Sequence, residues 1–138
     1  MAGQLTLSIV MPEREIVHET VDEIELPGAE GYFGVLPGHT PLLATLKIGE
    51  LWYRKGQEKF YVAIANGFAE VLPDRVTVLA ELAERAADID MTRAQAAKAR
   101  AEERSRTPSA DLDHERARAA LDKANTRVRV ARHAQTHR

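Results

Sequence analysis

Every aromatic side chain of the 138-residue sequence (Tyr32, Phe33, Trp52, Tyr53, Phe60, Tyr61, Phe68) lies before residue 69. From Glu81 onward there is no glycine and one proline, Pro108. Large rings are what a small core uses to bury area, and glycine and proline are what tight strand reversals need. The chain is therefore expected to divide into a turn-rich β part with the aromatic core and a helical part without one.

The first part carries short runs spaced as strands. Leu5, Leu7 and Ile9 alternate with polar neighbours, and Val21–Leu26, Trp52–Arg54, Phe60–Ala65, Phe68–Leu72 and Val76–Leu79 follow. Two Leu-Pro-Gly triplets (26–28 and 36–38), Asn66-Gly67 and Pro73-Asp74 read as the turns between such runs. Many short strands imply an all-β sandwich or barrel rather than a parallel α/β sheet, placed at residues 1–84. In residues 85–138, 14 of 54 positions are alanine, which favours helix. Asp88 or Asp90 is a candidate cap for a helix over about 89–105, Thr107-Pro108-Ser109 breaks the pattern, and Ser109 or Asp111 is a candidate cap for a second over about 111–134. The expected architecture is a β-sandwich followed by an α-helical hairpin. Its facing stripes, Ala94, Ala97 and Ala101 against Ala117, Leu121, Ala124, Val128 and Ala131, would approach closely but bury little apolar area.

Charge divides at the same place. Residues 1–84 hold 6 basic and 13 acidic side chains, a balance of −7, and residues 85–138 hold 13 and 8, a balance of +5. That asymmetry points to separate partners or separate jobs for the two parts. With a sequence pI near 6.2 and no aromatics on the basic helix, nucleic acid is not among the expected partners. Cysteine is absent, which removes disulfides and thiol chemistry. The start lacks a basic region followed by an apolar one, and no apolar run nears the roughly 20 residues of a membrane span. Membrane association is expected through partners alone.

Catalytic signatures are missing. Lys55 precedes the glycine that a phosphate loop would place before it, Gly28, Gly31 and Gly34 do not form the dinucleotide fingerprint, and no nucleophile elbow occurs. Asp22 and Glu23 are adjacent carboxylates, but neighbours on a strand point to opposite faces, so they do not converge on one substrate. His133 and His137 stand at helical spacing, and a basic, frayed C-terminus accounts for them. No metal site and no catalytic residue is expected.

Two motifs carry a resemblance. Gly31-Tyr-Phe-Gly34-Val-Leu36-Pro-Gly38-His39-Thr-Pro41-Leu42-Leu43 and Ile89-Asp90-Met91-Thr92-Arg93-Ala94, in that order and in those two parts, resemble the epsilon subunit of bacterial F-type ATP synthases. The resemblance covers the whole chain and implies a non-catalytic central-stalk subunit that couples rotation of the proton-conducting ring to the catalytic head. It implies a peripheral position on the cytoplasmic face of the bacterial inner membrane. A rotor interface is implied at Glu30, His39, Thr40, Pro41 and Leu42, facing the gamma subunit and the ring of c subunits. The second motif implies ATP as a regulatory ligand, with no obligatory cofactor. Its set is Glu84, Asp90, Arg93, Ala94, Arg100, Lys123 and Arg127, in which several cations converge on the phosphates if the hairpin is antiparallel. Where the family's best binders carry arginine at the position of Lys123, lysine keeps the charge and loses the bidentate fork. Arg116, Lys123, Arg127, Arg129 and Arg132 are implied to meet acidic segments of the alpha and beta subunits and inhibit ATP hydrolysis. The other reading of the same motif is a stand-alone nucleotide-sensing module.

Overall fold

A computed structural model describes residues 3–106 and 111–136. In β1 (Leu5–Val10) the alternation is realised, with Leu5, Leu7 and Ile9 buried. β2 (Glu15–Val21) and β3 (Glu23–Gly28) follow, then β4 (Gly31–Val35), β5 (Leu42–Leu46), β6 (Gly49–Lys55), β7 (Glu58–Leu72) and β8 (Arg75–Arg85). β1 pairs with β2 antiparallel and with β8 parallel, while β3 pairs with β4, β5 and β6. β7 is the shared strand: it pairs with β8 along one edge and with β6 and then β5 along the other. The strands thereby enclose one core in the manner of a sandwich.

Two expected turns are not turns. Leu26-Pro27-Gly28 is the end of β3, where the Pro27 carbonyl accepts from the Lys47 N–H at 2.9 Å, and the reversal falls on Ala29 and Glu30. Asn66-Gly67 lies inside the 15-residue β7. There Asn66 (φ 64°) and Gly67 (φ 133°) kink the strand. Core residues before the kink are Val62 and Ile64, and after it Ala69 and Val71, so the inward phase moves from even to odd numbers. β8 shifts alongside, from Val76, Val78 and Ala80 to Ala83. An Asn-Gly pair supplies the same left-handed backbone here that a hairpin turn would use, and the pattern of isolated residues does not separate the two.

Tyr53 is the largest side chain fully enclosed in that core. Its ring stacks on Phe60 at 5.2 Å, and its hydroxyl donates to Glu19 Oε2 at 2.8 Å, while Lys55 Nζ donates to Glu19 Oε1 at 2.7 Å. Burial, with the Glu19 carboxylate adding, holds the phenol well above its ordinary value near 10. The hydrogen bond from Lys55 holds Glu19 below the usual carboxylate range, against the opposing effect of burial. The phenol is therefore easier to ionise in the unfolded chain. Its contribution to stability is complete below about pH 10 and declines as pH rises from there toward the folded value. Urea midpoints at pH 8 and pH 11 should fall further in the native protein than in Tyr53→Phe, and the variant should lose about 1 kcal/mol at pH 8 for the missing hydrogen bond. Equal alkaline losses in the two proteins would contradict this.

After a 3-10 turn at Ala86–Asp88 come α1 (Met91–Arg106) and α2 (Asp111–Thr136). Asp90 is the cap, its Oδ1 accepting from the Arg93 N–H at 3.1 Å, and Ile89 packs with Ala94 as a hydrophobic staple. Thr107, Pro108 and the alternative cap Ser109 lie outside the described residues. The helices form the antiparallel hairpin. Ala94 and Ala101 are buried on α1, with Ala97 half-buried, and Ala117, Ala124, Val128 and Ala131 are buried on α2, with Leu121 half-buried. α2 carries a second buried face, Thr126 and Val130, and Val128, Val130 and Ala131 form one cluster with Ile89, Ala94 and Ala63 of β7.

Candidate functional site

Of the nucleotide residues expected from sequence, Glu84, Lys123 and Arg127 fall at the seam between hairpin and sandwich. Ala63 pairs with Glu84 and Ala65 with Leu82. These small strand residues let α2 come close, with Lys123, Thr126 and Arg127 above Glu84 and Leu82 around a cavity of about 30 Å³. Arg127 grips Glu84 with both prongs, Nε to Oε1 at 2.7 Å and Nη2 to Oε2 at 3.2 Å. Two residues on along the helix, Arg129 Nε donates to Glu50 Oε1 at 3.2 Å and its Nη2 to Thr126 Oγ1 at 3.3 Å. Both cations thus clamp α2 to carboxylates of the sandwich.

Glu84, Lys123 and Arg127 are therefore brought together. Arg93 and Arg100 are exposed on α1, and among the described residues neither forms an ion pair or a side-chain hydrogen bond. Asp90 is spent on capping α1. Ala94 was expected to leave room for a flat base, but its methyl is fully buried in the cluster with Val128 and Ala131, so in this conformation it offers packing and no opening. Arg116 and Arg132 are exposed.

The expected rotor residues divide between two turns at opposite ends of β5. Glu30 is exposed in the turn tied to that strand's end by the Ala29 N–H to Thr45 carbonyl bond at 2.8 Å. His39, Thr40, Pro41 and Leu42 enter its start, where the His39 Nδ1–H donates to the Thr40 carbonyl at 2.6 Å and the Gly38 N–H to the Pro73 carbonyl at 2.7 Å. Leu36, Leu42 and Leu43 are exposed there, Leu43 at 72%. A second apolar face, Phe68 beside Leu79 and then Leu82, lies on β7 and β8. Surface leucines in such number mark contact faces. The phase change at Asn66-Gly67 turns Phe68 outward, beside Leu79, which the alternation of Val76, Val78 and Ala80 already points outward.

Sequence reading also missed the packing at the end of α2. His133 is no frayed end: its ring stacks on Tyr61 at 3.5 Å, 4° from parallel. Burial, then the nearby Glu50 and Glu25 carboxylates, raise the Tyr61 phenol above its usual value. His137 lies outside the described residues.

Comparison with known proteins gives one family for both parts. The family described as ATP synthase, Delta/Epsilon chain, beta-sandwich domain matches residues 4–86, and the one described as its long alpha-helix domain matches residues 87–132. The chain is 52% identical over 131 residues to the ATP synthase epsilon chain of Syntrophobacter fumaroxidans, covering 95% of this chain and 98% of that one. It is 48% identical over 134 residues to that of Nitratidesulfovibrio vulgaris, covering 97% and 100%. Among solved structures, a chain of the Euglena gracilis mitochondrial ATP synthase (OSCP, F1 and c-ring) superposes with a TM-score of 0.79 at 25% identity, over 99% of this chain and 84% of that one. A chain of the Tetrahymena thermophila central stalk and c-ring shares the fold, with a TM-score of 0.57 at 17% identity, over 97% and 98%.

Proposed function

The chain belongs to the ATP synthase epsilon-chain family, and from that premise we propose that it is a non-catalytic central-stalk subunit whose sandwich couples and whose hairpin regulates. The sandwich binds the gamma subunit and the ring of c subunits through the two turns that flank β5, with Glu30 at one and His39, Thr40, Pro41 and Leu42 at the other. The exposed leucines around the second turn and the Phe68–Leu79 face supply the apolar part of that contact. No helix among the described residues is long and apolar enough to cross a membrane. The subunit then sits at the cytoplasmic face of the bacterial inner membrane through its partners, where the complex moves protons.

The observation that carries the regulatory half is how the hairpin is held. Small side chains cover α2, and the clamps are two partly exposed ion pairs, Arg127–Glu84 and Arg129–Glu50. Such pairs contribute little each, so docking is weak and reversible. Undocking frees Arg127 and Arg129, which with Arg116, Lys123 and Arg132 form a cationic helix suited to acidic segments of the alpha and beta subunits. That contact restrains ATP hydrolysis.

ATP acts on the docked form. Arg93 and Arg100, seven residues apart, offer exposed guanidinium groups on one face of α1, and Lys123 and Arg127 stand at the seam. A triphosphate draws these cations together and competes with Glu84 for Arg127, while binding the extended hairpin more weakly, which is the condition for shifting it. Calorimetric titration of the isolated chain tests this. Arg93→Ala should weaken ATP binding by about 2 kcal/mol, roughly thirtyfold, and Lys123→Arg should strengthen it by adding a second prong. An Arg93→Ala protein with native affinity would overturn the assignment of the phosphate residues and leave the stalk role standing.

A further inference from the structure

A larger cavity, about 540 Å³, opens where β7, the 85–91 connector and the end of α2 meet. None of the residues assigned above to ATP lines it. We propose that it is a second small-molecule site, one that takes a flat aromatic monoanion and ties the end of α2 to the sandwich. Its volume falls within the range of about 300–1,000 Å³ typical of small-ligand sites.

The walls supply flat and apolar surface. Phe60 and Tyr61 come from β7, Ile89 and Met91 from the connector and the start of α1, and Ala131 and Ala134 from α2. Stacking on the aromatic rings and alkyl contact on the other side suit a planar ring system. The charge comes from Lys59 and Arg85, against the single carboxylate of Glu58. Among the described residues neither cation forms an ion pair. Lys59 Nζ lies 4.1 Å over the Trp52 ring, a contact that orients the ammonium without neutralising it. Arg85 is exposed beside the opening. Two cations against one carboxylate at an apolar cleft favour an anion with a flat body. His133, stacked on Tyr61 in the same wall, adds a third positive charge when protonated.

Because Ala131, His133 and Ala134 form one wall, the cavity exists only while the end of α2 is docked. An occupant therefore favours the docked hairpin, by its differential affinity.

The test uses the full chain and 8-anilinonaphthalene-1-sulfonate as the aromatic monoanion, read by fluorescence titration and by amide chemical shifts. The expected result is saturable one-to-one binding, with shifts centred on residues 58–62, 85–91 and 131–134. Arg85→Ala should weaken it roughly tenfold, the loss of one charge-assisted contact. Ala134→Trp should abolish it by filling the cavity from the helix, and the neutral N-phenyl-1-naphthylamine should bind more weakly than the sulfonate. Arg85 is exposed, so its variant decides the matter even if the tryptophan disturbs the hairpin. The proposal is overturned by non-saturating binding, by shifts centred on Phe68 and Leu79, or by native affinity in Arg85→Ala. None of these readouts depends on the assembly of a synthase.

Discussion

Replacing Gly67 with alanine should destabilise the sandwich by about 3 kcal/mol, seen as a lower urea midpoint with an unchanged slope. A Cβ on Gly67 would overlap the Leu79 carbonyl oxygen and lie 2.9 Å from the Ala80 Cα. Those are backbone atoms of the paired strand, so relief requires parting β7 from β8 where both change phase. The φ of 133° adds strain that alanine does not tolerate. Gly31→Ala is the control. Its φ is 136°, but nothing stands within 4 Å of the added methyl, so it should show the conformational cost alone, about 1–2 kcal/mol. If the two variants lose the same stability, the close approach at Gly67 has no energetic weight.

Ending the chain after Ala87 should leave the sandwich cooperatively folded and remove the restraint on hydrolysis. Every buried residue of the sandwich core lies at or before Ala83, so the truncation removes no core contact. It uncovers Tyr61, Ala63 and Leu82, a modest face for a folded domain to expose. In a reconstituted complex, ATP hydrolysis should rise roughly fivefold or more over the intact subunit, the span of ordinary coupling energies, while coupled synthesis persists. Loss of the cooperative unfolding transition would refute the independence of the sandwich. A folded sandwich with lost coupling would refute the division of labour between the two parts.

The helical part was the more legible because its signals are local. Asp90 three residues before an N–H it can cap, and alanines at spacing of three and four, are decided within one or two turns. The sandwich was legible as a class and misread in detail. Asn66-Gly67 needs the left-handed backbone in either a hairpin or a kink, and only the partners of β7, contributed by β5, β6 and β8, decide which. Pro27 could enter β3 because the structure uses its carbonyl and asks for no N–H. At the candidate site, Arg127 grips Glu84, 43 positions away, and Arg129 reaches Glu50 across 79. Pairings over such separations leave no trace in periodicity. His133 was read as loose for the same reason, since Tyr61 is what fixes it.

The alanine lining of the hairpin has a thermal consequence. The heat-capacity change of a conformational step follows the apolar surface it uncovers, and the buried side chains where α2 meets β7 (Ala63, Val128, Val130 and Ala131) are small. Its docking constant should hence drift slowly with temperature, unlike that of an interface built from leucine and phenylalanine. The clamps Arg127–Glu84 and Arg129–Glu50 are partly open to water and so respond to dissolved ions. The docking equilibrium should therefore keep nearly the same set point on warming or cooling and shift toward release as salt rises.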